Sequence, residues 1–115
     1  MKRRQEERRL QRAVNDLLAI YERQGKLNFA AVPNGEKRDK VTGAILKGQG
    51  VRAGFPDMIV ILPSRVLFWE LKSPVGRLRV DQELWRQAIE RQGHSWSLIR
   101  SLSDAEACLK KALGK

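Results

Sequence analysis

Gly54-Phe55-Pro56-Asp57-Met58-Ile59-Val60-Ile61-Leu62, then Pro63-Ser64-Arg65, then Val66-Leu67-Phe68-Trp69-Glu70-Leu71-Lys72 is the stretch that decides the fold. Two apolar runs rich in β-branched and aromatic residues flank a connection too short for a crossover. The spacing predicts two central strands, Met58 to Leu62 and Val66 to Lys72, paired as an antiparallel hairpin. Such strands rarely carry charges. Here an acid opens the first, and an acid stands two residues before a lysine at the end of the second. Strand side chains alternate, so Glu70 and Lys72 share a face with Val66 and Phe68, while Leu67, Trp69 and Leu71 face the other way. Glu70 and Lys72 then lie about 6 to 7 Å apart along the strand. With Asp57 at the mouth of the neighbouring strand, the pattern predicts a small, half-buried acidic pocket with a cation beside it.

Such a pocket suits a hard divalent cation, Mg²⁺ or Mn²⁺, held through oxygen ligands with several waters retained. A metal so held can polarise a phosphate oxygen and lower the pKa of a bound water, while a nearby lysine orients that water. The structural alternative is an ion pair at a strand end, with Asp57 capping a turn after Pro56. Convergence of three charged residues on one sheet end favours the metal reading.

Composition narrows the partner. The 115 residues give room for one core and no second module, so one domain over residues 1–115 is expected. Lys and Arg number 23 against 13 Asp and Glu, a formal net charge of +10. That field points to a polyanion, and to nucleic acid rather than membrane. No apolar run approaches the roughly 18 residues of a bilayer span. Met1-Lys2-Arg3-Arg4-Gln5-Glu6-Glu7 begins like a signal peptide, but no apolar segment follows. One cysteine, Cys108, allows no internal disulfide and fits a reducing compartment, the cytoplasm. Cys108 and the lone His94 form no ligand cluster. They read as helix packing and a strand-start residue.

Along the chain, Leu10, Val14, Leu17, Leu18 and Tyr21 form an apolar stripe that predicts a helix from Gln5 to Gln24, with Gly25 as its stop. Lys2, Arg3, Arg4, Arg8, Arg9 and Arg12 crowd its start, as a solvated face or a nucleic-acid contact. Glu7, Val14 and Tyr21 recur at heptad spacing, which brings Glu7 close to the inward stripe; Glu6 is the competing acid. Leu27 to Val32 reads as a short strand ending at Pro33. Residues 34–55 form a long connection with five glycines and the bases Lys37, Arg38, Lys40, Lys47 and Arg52. Glycines let backbone approach a phosphate and the bases supply charge, though a solvated loop has the same composition. Val41 to Lys47 is a candidate short helix within it.

After the hairpin, Ser73 to Leu78 reads as a loop that sets Arg77 and Arg79 next to the pocket. A helix from Val80 to Gln92 is expected to turn Val80, Leu84, Ala88 and Ile89 inward, with Trp85 in the core. Ser95 to Arg100 is the last strand, with Trp96 and Leu98 on one face. Ser103-Asp104-Ala105-Glu106 reads as the capping box of a final helix to Leu113. The order is α-β-β-β-α-β-α. The helical crossover into the last strand predicts parallel pairing there.

Pro33-Asn34-Gly35, Gly50-Val51-Arg52-Ala53-Gly54-Phe55-Pro56-Asp57, Glu70-Leu71-Lys72, Gly76-Arg77 and Gln82 together resemble the VRR-NUC family, the virus-type replication-repair nucleases of the PD-(D/E)XK superfamily. The resemblance runs from about Glu7 to Ile99. It implies an α/β, restriction-endonuclease-like fold with a mixed central sheet flanked by helices, and metal-dependent hydrolysis of DNA. On the matching positions, it implies Asp57, Glu70 and the Leu71 carbonyl as metal ligands and Lys72 as the residue that positions or activates water. It also implies Gln82 as a site residue, where the alternative is an exposed helix polar group. Glu7, with Gln11 four residues later, fits a metal-site glutamate of the first helix. Arg52, Arg77, Lys47, Lys37, Arg38 and Asn34 are the expected DNA contacts. None reads base edges in an obvious way, so recognition by shape is expected.

Resemblance to the stand-alone members of that family, from phages and bacteria, implies a homodimer that resolves four-way (Holliday) junctions in a bacterial or phage-infected cell. The alternatives are a non-catalytic basic DNA-binding accessory protein and a flap- or RNA-directed nuclease. A sequence-specific restriction enzyme fits less well, because so short a chain leaves little for a recognition domain.

Overall fold

Alternation along the hairpin builds the sheet. A computed structural model describes residues 2–33 and 40–114. Its elements are α1 (Lys2–Arg23), β1 (Asn28–Ala31), α2 (Lys40–Gly48), β2 (Met58–Leu62), β3 (Arg65–Leu71), α3 (Val80–Arg91), β4 (Ser95–Ile99) and α4 (Leu102–Ala112). The strands lie in the order β1-β2-β3-β4. β2 and β3 are antiparallel, with Met58 opposite Trp69 and Leu62 opposite Arg65. Proline holds its φ near −65°, and Ser64 completes the two-residue turn at φ 64°. β1 pairs antiparallel with β2, whereas β4 pairs parallel with β3, as the α3 crossover requires. The sheet is therefore mixed, as expected from sequence.

One sheet face carries the core. Met58, Val60, Leu62, Leu67, Trp69, Leu71 and Ile99 are buried on it. Val14 and Leu18 of α1 and Ala105 and Leu109 of α4 close over them, all fully buried, with Leu10, Leu17, Tyr21 and Cys108 packed around. Burying each large aliphatic or aromatic side chain stabilises by about 1.5 to 3 kcal/mol, so this face anchors the fold. The opposite face holds Phe68 and Glu70 and receives α3. That division leaves the acidic pocket on the less apolar side, under the first turn of α3.

Three details depart from the pattern reading. The optional helix in the long connection is real and extends over Lys40–Gly48, so the element order gains α2. On α3, Val80 and Leu84 are exposed, at 77% and 58%, and not inward. Gln82 and Ile89 are the buried positions, with Trp85 half-buried between them. A glutamine occupies an inward place because it has a buried partner, and this rotates the helix away from its apolar stripe. Last, α4 is capped by Ser101 and not Ser103. The Ser101 hydroxyl accepts from the Asp104 amide at 3.1 Å, while the Asp104 carboxylate accepts from the Arg100 amide at 2.9 Å. Asn34, Lys37 and Arg38, and the side chains of Lys2, Arg3 and Arg4, lie outside the described residues.

Candidate active site

The end of β3, the entry to β2, the start of α1 and the first turn of α3 meet at one small cleft. Glu7, Gly54, Phe55, Asp57, Glu70, Leu71, Lys72, Arg79 and Gln82 line it. Six residues singled out from sequence, Glu7, Asp57, Glu70, Leu71, Lys72 and Gln82, are therefore brought together. Glu70 is 2% and Lys72 7% exposed, so both charges sit below the surface.

Backbone geometry fixes the carboxylates. Asp57 precedes β2, and its Oδ2 accepts from the Leu71 amide at 2.8 Å, which locks the acid across the strand pair. Glu70 Oε2 accepts from Gln82 Nε2 at 3.0 Å. The Gln82 Oε1 in turn accepts from the Arg79 amide at 2.8 Å, so one side chain both caps α3 and orients Glu70. Glu7, not Glu6, faces the cleft: its Oε2 accepts from the Ser73 amide at 3.4 Å. Gln11 is not among the lining residues.

The electrostatics of this arrangement favour a cation. Burial first, and the Asp57 charge second, push the Glu70 carboxyl up from 4.5 to about 9; Lys72 and Arg79 only partly oppose them. The second Glu70 oxygen, Oε1, is buried with no hydrogen-bond partner among the described residues. A buried acceptor left open is costly unless something fills it. The cleft holds about 70 Å³, and water takes about 30 Å³ in the liquid, so a divalent cation with a water or two fits. Among the described residues no third Asp, Glu, His or Cys joins Asp57 and Glu70 closely enough to make a three-ligand cage. Two carboxylates with a backbone carbonyl and waters is the sparse set that Mg²⁺ accepts.

Two glycines pack closely at the cleft. Gly54 has φ +83°, and a Cβ there would lie 2.6 Å from the Asp81 carbonyl carbon of α3. Gly76 is buried, and a Cβ there would press on Ser73 Oγ at 3.1 Å and stand in ordinary contact, at 3.4 Å, with Glu7 Oε2 and the Lys72 stem.

Some site residues escaped the sequence reading. Arg79 was noticed only as a neighbour and had no role, yet it lines the cleft. Arg100 gave no signal at all. Its Nη1 donates to the carbonyls of Ser73, Pro74 and Gly76, at 2.8, 3.3 and 2.7 Å, and so pins the loop that follows Lys72. Nothing local to Arg100 reveals this, because its partners are 24 to 27 residues away. Of the expected DNA contacts, Arg52, Lys47 and Arg77 are exposed and lie outside the lining of the cleft.

This fold has relatives. The model of the VRR-NUC domain family matches residues 2–102, and the chain belongs to that family. Its fold is accordingly nuclease-type. Two solved structures share the fold. One, a "VRR_NUC domain protein", is 17% identical with a TM-score of 0.59, covering 72% of this chain and 65% of its own. The other, described as "VRR_NUC domain", is 18% identical with a TM-score of 0.63, covering 91% of this chain and 95% of its own. The chain thus spans just under two thirds of the first and nearly all of the second. No curated protein matches the sequence. Among the described residues, no helix is long and apolar enough to cross a membrane.

Proposed function

We propose that this protein is a metal-dependent, structure-specific DNA endonuclease that resolves four-way junctions as a homodimer. The observation that carries the catalytic reading is Glu70: a buried carboxylate with one open oxygen, facing Asp57 in the cleft that also holds Lys72. Asp57, Glu70 and the Leu71 carbonyl would hold Mg²⁺ or Mn²⁺, with Glu7 holding a water of the ion. Bound there, the ion supplies charge to a phosphate oxygen and lowers the pKa of a water. Lys72 orients the attacking water and stabilises developing negative charge. Gln82 keeps Glu70 aimed into the cleft through its Nε2–H. Arg79 adds positive charge at the rim. Arg52, Lys47, Arg77 and the bases of the long connection hold the phosphate backbone, which positions the duplex without reading its sequence.

A homodimer follows from the chemistry of the substrate. A junction has approximate twofold symmetry and needs two cuts, and a twofold pair of protomers brings two matching sites. Incubating the protein with labelled duplex, flap and four-way junction DNA, with Mn²⁺ and with chelator, tests this reading. The expected result is paired symmetric cuts at the branch point, only with metal, by a species of about twice the 13.2 kDa chain mass. Binding should weaken steeply with salt, with a slope of log K against log salt of about −4 or steeper, because each neutralised phosphate adds about −0.9. A monomer that nicks duplex and junction alike, or a flat salt titration, would overturn it.

A further inference from the structure

Beside the cleft lies a second and larger concavity that the proposed chemistry does not use. Its volume is about 460 Å³, and Pro33, Leu46, Val51, Arg52, Phe55 and Trp85 form its walls. Ligand-sized pockets run from about 300 to 1,000 Å³ and are mostly apolar with a few polar groups. Phe55 belongs to both concavities, so the apolar groove opens within two residues of Asp57. The aromatic groups are braced. Trp85 Nε1 donates to the Ala53 carbonyl at 3.1 Å. Phe55 meets Trp85 edge-on at 4.9 Å between centroids and Phe68 at 6.0 Å. The Arg52 guanidinium sits 5.2 Å from the Trp85 ring centre.

We propose that this groove receives one unpaired base of the DNA strand whose phosphate lies in the cleft. Rigid aromatic walls with a guanidinium alongside form the stacking surface that single-stranded bases prefer, and any base can use it. The net charge of +10 brings the backbone to this surface. In plain duplex the bases are paired and stacked on both sides, and extracting one costs a few kcal/mol; at a branch point the continuous stack is interrupted, so a base there is drawn out at lower cost. The groove thus supplies a physical reason for preferring branched DNA. This inference rests on the proposed nuclease reading.

The test places 2-aminopurine at the branch-point base of a four-way junction, and at the equivalent base of a duplex, with the protein held in chelator so that no cutting is required. Binding is expected to quench the junction probe at least twofold and to leave the duplex probe unchanged. Trp85→Leu keeps apolar bulk but removes the stacking face. It should abolish the quenching and weaken junction binding about 10-fold, with duplex binding within about twofold. Val51→Met adds bulk to the groove lining with every aromatic retained, and should act in the same direction if Trp85→Leu does not fold. An unquenched junction probe on the wild-type protein overturns the proposal. So does a Trp85→Leu protein that sediments as a monomer where the wild type is a dimer, since a second copy of the chain would then cover the groove. Quenching in a protein that cuts nothing in Mn²⁺ supports the groove and counts against the nuclease reading alone.

Discussion

Asp57→Asn, Glu70→Gln and Lys72→Met are each expected to lower DNA cleavage by about 10²- to 10³-fold or more while DNA binding survives. Each removes a charge that acts where the phosphate reacts, and losing a single aligned electrostatic group has effects of that size. The bases proposed to hold the backbone, Arg52, Lys47 and Arg77, lie outside the cleft, so a gel-shift affinity within about threefold of wild type should accompany the lost cleavage. Wild-type rates in all three variants would show that the cleft is not the nuclease centre.

Glu70→Gln has a second consequence. In the folded chain the Glu70 carboxyl titrates at about 9, against 4.5 for an ordinary glutamate. Between those values the folded protein keeps a proton that the unfolded chain has released. The metal-free protein is therefore most favoured by this group below about pH 4.5 and loses that contribution as pH rises towards 9. Glutamine is neutral throughout, so the variant should not show this loss. Thermal melts in chelator from pH 6 to 9 report the difference. Parallel declines in both proteins would mean that Glu70 is not held in a desolvated pocket.

Gly54→Ala should be the most damaging alanine substitution among the described glycines. The residue sits at φ +83°, and its new Cβ would meet the Asp81 carbonyl carbon and oxygen at 2.6 and 2.7 Å. Those atoms are backbone and cannot rotate away. Either the entry to β2 or the first turn of α3 must move, and that turn carries Gln82. Strain at positive φ together with overpacking implies a loss of about 2 to 4 kcal/mol. The melting temperature should fall by on the order of 10 °C. Cleavage measured where the variant is still folded should also drop, because Gln82 no longer aims Glu70. A melting curve equal to that of wild type would contradict this account of the junction between β2 and α3.

The hairpin was legible because its signal is local. Alternation, a short proline connection and isolated charges marked β2 and β3 and placed Asp57, Glu70 and Lys72 at one sheet end, although the turn proved to be two residues and not three, with Arg65 already in β3. The parallel β4 followed from the length of its crossover. The face of α3 was not legible, because an apolar stripe is a reliable guide only when the inward positions are apolar. Gln82 is inward through its bond to Glu70, and Val80 and Leu84 are consequently left in solvent. Ser103 looked like the α4 cap because serine, acid and spacing fit, but Ser101 stands two residues earlier with the same chemistry. Glu7 could be separated from Glu6 only by its long-range bond to the Ser73 amide. Arg100 was invisible for the same reason: its three carbonyl partners belong to a loop brought near by β3 and β4 pairing.

The central claim is that Asp57 and Glu70 form a site for a catalytic divalent cation. Titration calorimetry of Mn²⁺ into the protein at pH 7, in two buffers of different ionisation enthalpy, tests it most directly. Glu70 carries a proton at that pH when no metal is bound, so binding should release about one proton per site. The heat should therefore differ between the buffers, and Asp57→Asn should weaken binding by at least about 10-fold. No Mn²⁺ binding by the wild-type protein, or equal binding by Asp57→Asn, would contradict the account.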